Sequence, residues 1–173
     1  SNFPADPAVR DNILNAINDA IQHWRNNTSI EIQPRQEESG YIIFRNGVGC
    51  SSRVGYSGRG QFIACDLASP GFGTSSVIHE IGHAVGLYHE QSRGDRDAYV
   101  DIEWDNIHDN KEHNFEIETN GLVDGPYDYL SMMHYPSTTT NAEFAIVTSK
   151  PIITCKPSAC PANMGNVSAL SVG

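Results

Sequence analysis

The sequence predicts an α+β fold of two lobes, a helix-and-sheet lobe followed by a mostly irregular one. Apolar residues recur at helical spacing near the N-terminus, and short alternating segments follow, separated by turns that contain glycine and serine. A second apolar helix comes next, after which the chain becomes polar and rich in turns and prolines. Its 173 residues suffice for one domain with a real core. We therefore predict a single domain over 1–173, with an N-terminal lobe over 1–89 and a C-terminal lobe over 90–173.

The first predicted element is a helix over residues 6–27. Asp6 can cap its N-terminus, and Pro7 fits the first turn because a proline there loses no helical hydrogen bond. Apolar residues recur every three or four positions, which is typical of a helix with one buried face. They are Val9, Ile13, Ile17, Ile21 and Trp24.

Short strands are expected after this helix. β-Branched and aromatic residues alternate with polar ones there, between turn sequences such as Glu38-Ser39-Gly40. The predicted strands are Ser29–Gln33, Tyr41–Arg45, Ser52–Tyr56 and Gln61–Cys65. Together they supply the sheet of the N-terminal lobe.

A second helix is predicted over Ser75–Val85, with Thr74 or Ser75 as its cap. Its apolar residues cover most of its circumference, so we expect it to be buried. They are Val77, Ile78, Ile81, Ala84 and Val85. Beyond it the sequence predicts one helix near Asp105–Phe115 and otherwise loops. The prolines that interrupt these loops are Pro126, Pro136, Pro151, Pro157 and Pro161.

Composition argues against several partners. Eleven basic side chains against twenty-one acidic ones give a formal charge of −10, and such a surface repels phosphate backbones, so we expect no nucleic-acid partner. No apolar run approaches the roughly 20 residues that span a membrane, so we expect no membrane span. The sequence does not open with a signal peptide, so an exported protein would be present here in processed form.

Four cysteines fall into two sequence-local pairs, Cys50 with Cys65 and Cys155 with Cys160. Neither pair has the C-x-x-C spacing of a zinc ribbon or a redox site. One interpretation is two disulfides in an oxidising, extracytoplasmic compartment, and the other is four buried free thiols. We favour the disulfides, since closing a loop of the length between Cys50 and Cys65 stabilises a fold by roughly 3 kcal/mol.

The second helix carries the clearest chemical motif, His79-Glu80-x-x-His83. Histidines spaced i and i+4 lie one turn apart on the same helix face, so both rings can bind one ion. Glu80 lies about 100° around the helix from His79, beside the ion, where a carboxylate can act as a base. Because buried imidazoles and a buried carboxylate would be costly without a partner, we predict a zinc ion here.

A third histidine follows through a turn. Gly86 can end the helix in the left-handed conformation and reverse the chain, which returns His89 towards the ion. If the helix continued, the His89 side chain would point roughly 120° away from His79. The predicted zinc ligands are therefore His79, His83 and His89.

Three neutral imidazoles leave one zinc position open for water, whereas structural zinc sites usually have four protein ligands and often cysteine. Zinc lowers the pKa of bound water to roughly 7, and a positioned carboxylate base typically adds roughly 10²–10⁴-fold to a rate. The open position beside Glu80 therefore favours a catalytic zinc hydrolase over a structural site.

The motif continues with Glu90 and Arg93-x-Asp95-Arg96-Asp97. A second motif reads Tyr127-Asp128-Tyr129-Leu130-Ser131-Met132-Met133-His134-Tyr135. Together these motifs resemble the metzincin clan of zinc endopeptidases, and within it the astacin family. The segments 49–55 and 164–171 are also similar to segments of that family.

The resemblance implies a zincin-like fold, with a mixed, twisted sheet and two long helices in the N-terminal lobe. Short helices would lie in the irregular C-terminal lobe, with an active-site cleft between the lobes. Met133 would form a hydrophobic floor beneath the zinc. Tyr135 would be a reversible zinc ligand that swings away to stabilise the tetrahedral intermediate. An extended peptide substrate would pair with roughly Ser51–Tyr56.

The resemblance also concerns the cysteines and the termini. Cys50–Cys65 matches a disulfide of the family, and Cys155–Cys160 is a local addition. In relatives the mature N-terminus contacts the glutamate after the third histidine, here Glu90, and we expect both termini of this chain to be truncated. The resemblance implies secretion and an inhibitory propeptide in the precursor, and we expect a monomer. Residues expected to form structural ion pairs or hydrogen bonds are Arg93, Asp95 and Arg96.

The combined prediction is a secreted, zinc-dependent endopeptidase in which zinc-bound water attacks the peptide bond. Glu80 would accept the water's proton and pass it to the leaving amine, and Tyr135 would be the second catalytic residue. Spacing alone predicts only a zinc hydrolase, and peptide as the substrate comes from the resemblance. Two alternatives remain: a zinc-bound binding domain without catalysis, and a zinc amidase that is not a proteinase.

Overall fold

A computed structural model describes residues 3–69, 72–156 and 158–171. The chain forms two compact units, of which the first ends at Leu87 and the second runs Tyr88–Ser171. The first unit combines two helices with a sheet, and the second consists mainly of short helical turns and loops. This architecture confirms the predicted α+β class. The division into lobes at residue 89 stays a prediction, as does the cleft.

Helix α1 spans Pro7–Asn27 in the N-terminal unit. Asp6 caps it as predicted, because its carboxylate accepts hydrogen bonds from the backbone N–H groups of Ala8 and Val9, at 2.8 and 3.3 Å. The predicted apolar stripe is the buried face, which carries Ile13, Ile17, Ala20 and Trp24.

The N-terminal sheet has three strands, β1 (Tyr41–Asn46), β2 (Cys50–Ser52) and β3 (Gly60–Cys65). β3 lies in the middle, parallel to β1 and antiparallel to β2, so the sheet is mixed as predicted. β2 is consequently an edge strand, and no strand of the described chain pairs with its outer side. Such an edge presents backbone groups that can bind another extended chain.

Two of the strand predictions are wrong. Ser29–Gln33 is irregular, because alternation produces a strand only where a neighbouring strand supplies ladder hydrogen bonds, and no described strand does so here. The strand predicted over Ser52–Tyr56 instead begins at Cys50 and ends at Ser52. The chain then turns at Gly55, whose φ is 80° and whose N–H donates to the carbonyl of His83 at 2.8 Å.

Helix α2 spans Thr74–Val85 and is largely buried, as predicted. Its N-cap is Gly73, so the prediction of Thr74 or Ser75 as the cap is wrong. Gly73 makes no side-chain capping bond, but its extended backbone suits the position, where glycine costs only a few tenths of a kcal/mol relative to serine or threonine.

The two helices pack against each other through their buried faces. The indole N–H of Trp24 on α1 donates to the backbone carbonyl of Ile78 on α2 at 3.1 Å, so a large apolar ring is buried with its one polar atom satisfied. Side chains from both helices and from β3 form this core, namely Ile13, Ile17, Trp24, Ile63, Val77, Ile78 and Ile81.

Over its described residues, the C-terminal unit contains four short 3-10 helices and one small sheet. The 3-10 helices are Glu90–Ser92, Arg96–Ala98, Trp104–Asn106 and Asp109–Phe115. Strand β4 (Val100–Ile102) pairs antiparallel with β5 (Ile153–Cys155), and the sequence did not predict either strand. The hydrophobic core of the C-terminal unit consists of Val100, Ile107, Phe115, Tyr127, Ala145, Ile152, Ile153 and Met164. Of the interrupting prolines, Pro157 lies outside the described residues.

The prediction of one helix near Asp105–Phe115 is also wrong. Two 3-10 segments replace it, because Ile107 between them is extended and forms an antiparallel bridge with Ala145. A long-range pairing has therefore overridden a local helical pattern.

Asn106 is a buried residue that organises the loop after this bridge. Its side-chain oxygen accepts from the N–H of Val147 at 2.8 Å. Its amide nitrogen donates to the carbonyls of Val147, Lys150 and Pro151, at 3.2, 3.3 and 3.0 Å. One side chain thus satisfies the backbone of a segment that has no regular secondary structure.

We expect Asn106→Ala to lower the free energy of unfolding by about 2–4 kcal/mol, because it leaves several buried backbone groups without partners. Urea unfolding of the zinc-loaded protein measures this. The matched control is Asn110→Ala, at an exposed position in the next 3-10 helix, where we expect the free energy of unfolding to change by less than about 0.5 kcal/mol. Equal stability of the two variants would show that the loop does not depend on Asn106.

Candidate active site

His79 and His83 lie one turn apart on α2, as the spacing predicts. Their ring centroids are 4.7 Å apart with the planes at 89°, so the edge of one ring faces the other. His83 is buried and His79 is half-buried. The helix therefore presents two imidazoles side by side from a rigid element.

Gly86 ends the helix in the left-handed conformation, with φ at 116°. The N–H of Gly86 donates to the carbonyl of His83 at 2.9 Å, and that of Leu87 donates to the carbonyl of Gly82 at 2.9 Å. This reversal brings His89 to the other two histidines, because one ring nitrogen from each of the three lies within 4.8 Å of the others. The geometry is that of a site for one metal ion.

His83 has the protonation state that metal binding requires. Its Nδ1 lies 2.8 Å from the carbonyl of Leu87, so Nδ1 carries the proton and donates, which leaves the lone pair of Nε2 for a metal. Burial lowers the pKa of His83, with the carbonyl of Leu87 acting in the opposite direction. The ring is thus neutral and oriented by its own helix terminus.

Glu80 provides the test of whether a cation fits here. Its side chain is buried, and Oε2 is the only buried side-chain N or O atom without a hydrogen-bond partner among the residues described. Burial raises the pKa of Glu80 to about 7, because desolvation disfavours the charged carboxylate. A cation held by the adjacent histidines would offset this cost. The donor set of three imidazoles is one that zinc prefers, so the residues present fit a zinc ion.

Tyr135 lies beside His89 in the C-terminal unit. Their ring centroids are 4.7 Å apart, and the Tyr135 ring is half-buried between the edges of Phe115 and Phe144, at 5.5 and 6.1 Å. Met133 is buried, with 3% of its surface exposed. The predicted roles of Tyr135 as a zinc ligand and of Met133 as a floor beneath the zinc stay predictions.

His134 forms a buried hydrogen-bonded pair with Tyr127, which sequence reasoning missed. The Tyr127 hydroxyl donates to Nε2 of His134 at 2.7 Å, and Nδ1 of His134 donates to the carbonyl of Tyr135 at 2.6 Å. Burial raises the pKa of Tyr127 far above its ordinary value and lowers that of His134, which keeps the tyrosine a donor and the imidazole neutral. Both residues lie within the second motif, but that motif does not reveal their hydrogen bond, because the pairing depends on how the loop folds.

Glu90 has partners of its own within the C-terminal unit. Its Oε1 accepts from Nη1 of Arg93 at 2.9 Å and from the N–H of Asp128 at 2.9 Å. Burial raises the pKa of Glu90, while the Asp128 N–H and the Arg93 charge oppose that shift. Ser1, the first residue of this chain, lies outside the described residues, so the structure does not test the contact that the resemblance gives for relatives.

Arg93, Asp95 and Arg96 are structural, as predicted. Arg93 donates from Nε and Nη2 to the two carboxylate oxygens of Asp95, both at 3.0 Å, which is a bidentate pair. Arg96 pairs with Asp97 through Nε, and its Nη1 donates to the carbonyls of Gln91 and Phe115 at 3.0 and 2.8 Å. These arginines hold the chain that follows the third histidine.

Both predicted disulfides are present, Cys50–Cys65 and Cys155–Cys160, and the described residues include no free cysteine. Cys50 and Cys65 are directly opposite each other in the antiparallel pair of β2 and β3. This bond therefore fastens the edge strand to the centre of the sheet. Over the residues described, no helix combines the length and the apolar character needed to cross a membrane.

The scaffold and the histidine cluster define the class of protein as one with a three-histidine zinc site at a buried helix. Comparisons with known proteins identify the family within that class. The family model for the astacin peptidases matches residues 2–173. Nematocyst expressed protein 6 of Nematostella vectensis is 39% identical over 137 residues, which cover 77% of this chain and 48% of that protein. Meprin A subunit beta of Mus musculus is 40% identical over 156 residues, covering 84% of this chain and 21% of the meprin.

The fold gives the same answer. The hatching enzyme zinc-protease high choriolytic enzyme 1 of the medaka Oryzias latipes matches with a TM-score of 0.80 at 30% identity, over 92% of this chain and 76% of that one. The chain therefore belongs to the astacin family of zinc metalloendopeptidases, and the predicted zincin-like fold is confirmed. Its histidine cluster is the zinc site of that family. The chain spans about half the length of the Nematostella protein and about a fifth of the length of the mouse meprin subunit.

Proposed function

We propose that this domain is a secreted endopeptidase that hydrolyses internal peptide bonds of protein substrates. The observation that carries the proposal is the buried carboxylate oxygen of Glu80, which has no hydrogen-bond partner among the described residues and directly follows a zinc-ligating histidine. A structural zinc site has no use for such a group, whereas hydrolysis needs a base at that place.

Zinc bound by His79, His83 and His89 supplies Lewis acidity, which polarises a carbonyl oxygen and makes water more acidic. Glu80 accepts a proton from the attacking water. It then delivers that proton to the nitrogen of the leaving amine, so the same side chain acts first as base and then as acid. Its position on a buried helix holds the carboxylate in place throughout.

Tyr135 is proposed to stabilise negative charge on the reacting carbonyl through its hydroxyl, and to bind the zinc reversibly in the resting protein. The proximity of its ring to that of His89, at 4.7 Å between centroids, supports both roles. A hydrogen bond that forms only as charge develops is typical of transition-state stabilisation. Met133 is proposed to form the apolar floor beneath the metal.

The edge strand β2 is proposed to bind the substrate. An extended peptide can add to a sheet edge through backbone hydrogen bonds, and β2 is such an edge, held to β3 by a disulfide. The predicted substrate segment Ser51–Tyr56 is longer than the strand, which ends at Ser52. Backbone pairing is therefore proposed for Ser51 and Ser52, with Arg53–Tyr56 contributing contacts beyond the strand.

Two disulfides support an oxidising, extracellular location, because such bonds form and persist there. The medaka relative is a hatching enzyme by its description, and secretion is proposed for this protein too. An inhibitory propeptide in the precursor and a monomeric mature protein complete the proposal.

Metal removal tests this function. The protein is incubated with a diverse peptide library, with denatured proteins and with cell-wall fragments, and cleavage sites are read by mass spectrometry. We expect internal cleavage that a chelating phenanthroline abolishes, that zinc restores, and that a non-chelating phenanthroline isomer leaves unchanged. Zinc-loaded protein that cleaves nothing would establish a binding domain. Cleavage confined to cell-wall peptide amides would establish an amidase.

A further inference from the structure

Gln91 is a fully buried polar side chain, with 0% of its surface exposed, two residues after the ligand His89. Its Oε1 accepts from the backbone N–H of Tyr135 at 2.9 Å, and its Nε2 lies 3.5 Å from the carbonyl of Asn114, to which it donates. The backbone carbonyl of Gln91 accepts a hydrogen bond from Nη1 of Arg96 at 3.0 Å. The carboxamide is thus held at both ends, and its acceptor is committed to Tyr135.

The backbone of Tyr135 is restrained from other directions as well. Its carbonyl accepts from Nδ1 of His134 at 2.6 Å. Gly165 lies against the same peptide, so closely that a Cβ there would be 2.3 Å from the carbonyl carbon of Tyr135. By contrast, the Tyr135 ring is only half-buried and touches its aromatic neighbours by their edges. The backbone at Tyr135 is therefore fixed by contacts to its N–H, its carbonyl oxygen and its carbonyl carbon.

We propose that Gln91 is a positioning residue for Tyr135. Its side chain joins the segment that carries the zinc ligand His89 to the backbone of Tyr135, so that the ring and hydroxyl of Tyr135 extend from a fixed backbone. A shift of about 1 Å in a reacting group can lower the rate on the order of 10²-fold, so a hydrogen bond that prevents such a shift preserves the rate. This inference rests on the proposed catalytic role of Tyr135.

Two variants separate the hydrogen bond from the volume of the side chain. Gln91→Met has a similar length and no oxygen acceptor, whereas Gln91→Glu keeps an oxygen that accepts from the N–H of Tyr135. In the zinc-loaded protein, NMR should show amide exchange at Tyr135 at least about tenfold faster in Gln91→Met than in wild type, and a rate near the wild-type one in Gln91→Glu. Equal exchange in Gln91→Met and wild type would overturn the attachment itself.

Steady-state kinetics test whether the hydrogen bond between Gln91 and the Tyr135 backbone affects catalysis. With zinc content equal to wild type, Gln91→Met should lower kcat by about 10- to 100-fold with KM within about threefold, and Gln91→Glu should recover most of kcat. Introduced into wild type, Tyr135→Phe should lower kcat strongly. Introduced into the Gln91→Met variant, Tyr135→Phe should lower kcat only slightly further, because both changes remove the same contribution. Independent, multiplicative effects would overturn the positioning role.

The two failures are distinguishable. If Tyr135→Phe leaves the kcat of wild type unchanged, the proposed catalytic role of Tyr135 is wrong, and the positioning role falls with it. If Tyr135→Phe slows wild type but Gln91→Met does not, the function stands and only the inference about Gln91 is overturned. Melting temperatures of all variants identify any loss of folding. If Gln91→Met folds poorly, Gln91→Glu is compared with wild type instead. Amide exchange at Tyr135 much faster than in wild type, or a kcat far below that of wild type, would then overturn the inference.

Discussion

Replacing Glu80 with glutamine should lower kcat/KM on peptide substrates by about 10²–10⁴-fold, while zinc still binds at close to one ion per chain. Glutamine has nearly the same shape, so the packing of the buried helix is retained. Its amide cannot accept the proton of the attacking water, and the three imidazole ligands are untouched. The replacement also exchanges a buried, desolvated carboxylate for a neutral amide, so the zinc-free variant should fold at least as well as zinc-free wild type.

The matched control for this change is Glu116→Gln, which removes one negative charge at an exposed position and should leave kcat/KM within about twofold. Activity is measured on the best peptide from the library, and zinc by atomic absorption. If Glu80→Gln retains wild-type activity with full zinc, Glu80 is not the base. If it loses zinc as well as activity, Glu80 contributes to metal binding instead.

Gly165→Ala should be strongly destabilising, by about 2–5 kcal/mol. Two costs add at this position. Gly165 has φ at 68°, where a residue with a Cβ loses roughly 1–2 kcal/mol. In addition, a Cβ would lie 2.1 Å from the nitrogen of Pro136 and 2.3 Å from the carbonyl carbon of Tyr135, so backbone would have to move, at about 1–3 kcal/mol.

Gly125→Ala separates these two costs. Gly125 has nearly the same φ, 66°, but a Cβ there would meet nothing within 4 Å. It should therefore lose only the roughly 1–2 kcal/mol of backbone strain. Urea unfolding of the zinc-loaded proteins gives both values. Equal losses in the two variants would mean that Gly165 is needed only for its conformation and not for its close contact with the Tyr135 peptide.

Sequence reasoning succeeded where the determining interactions are local. The i, i+4 spacing of His79 and His83 needs only a helix, and Gly86 needs only a helix terminus, so the zinc site followed from one short segment. The apolar stripe of α1 and its Asp6 cap are equally local. The disulfides were also accessible, because each joins cysteines that are close in sequence.

Sequence reasoning failed where a partner distant in the chain decides the local structure. Ser29–Gln33 alternates like a strand but lacks a described neighbour to pair with. The helical pattern of Asp105–Phe115 is interrupted because Ile107 pairs with Ala145 instead. β4 and β5 escaped prediction for the same reason, since each is only three residues long and becomes a strand through the other.

The sequence by itself thus determined the three histidines of the zinc site, the buried carboxylate that follows the first of them, and the family. Only the tertiary structure decided what holds Tyr135, namely the carboxamide of Gln91 and the imidazole of His134. The physical reason is the range of the interactions. Helical spacing acts within a few residues and can be read directly, whereas a buried side chain finds its hydrogen-bond partner only after the chain has brought distant segments together.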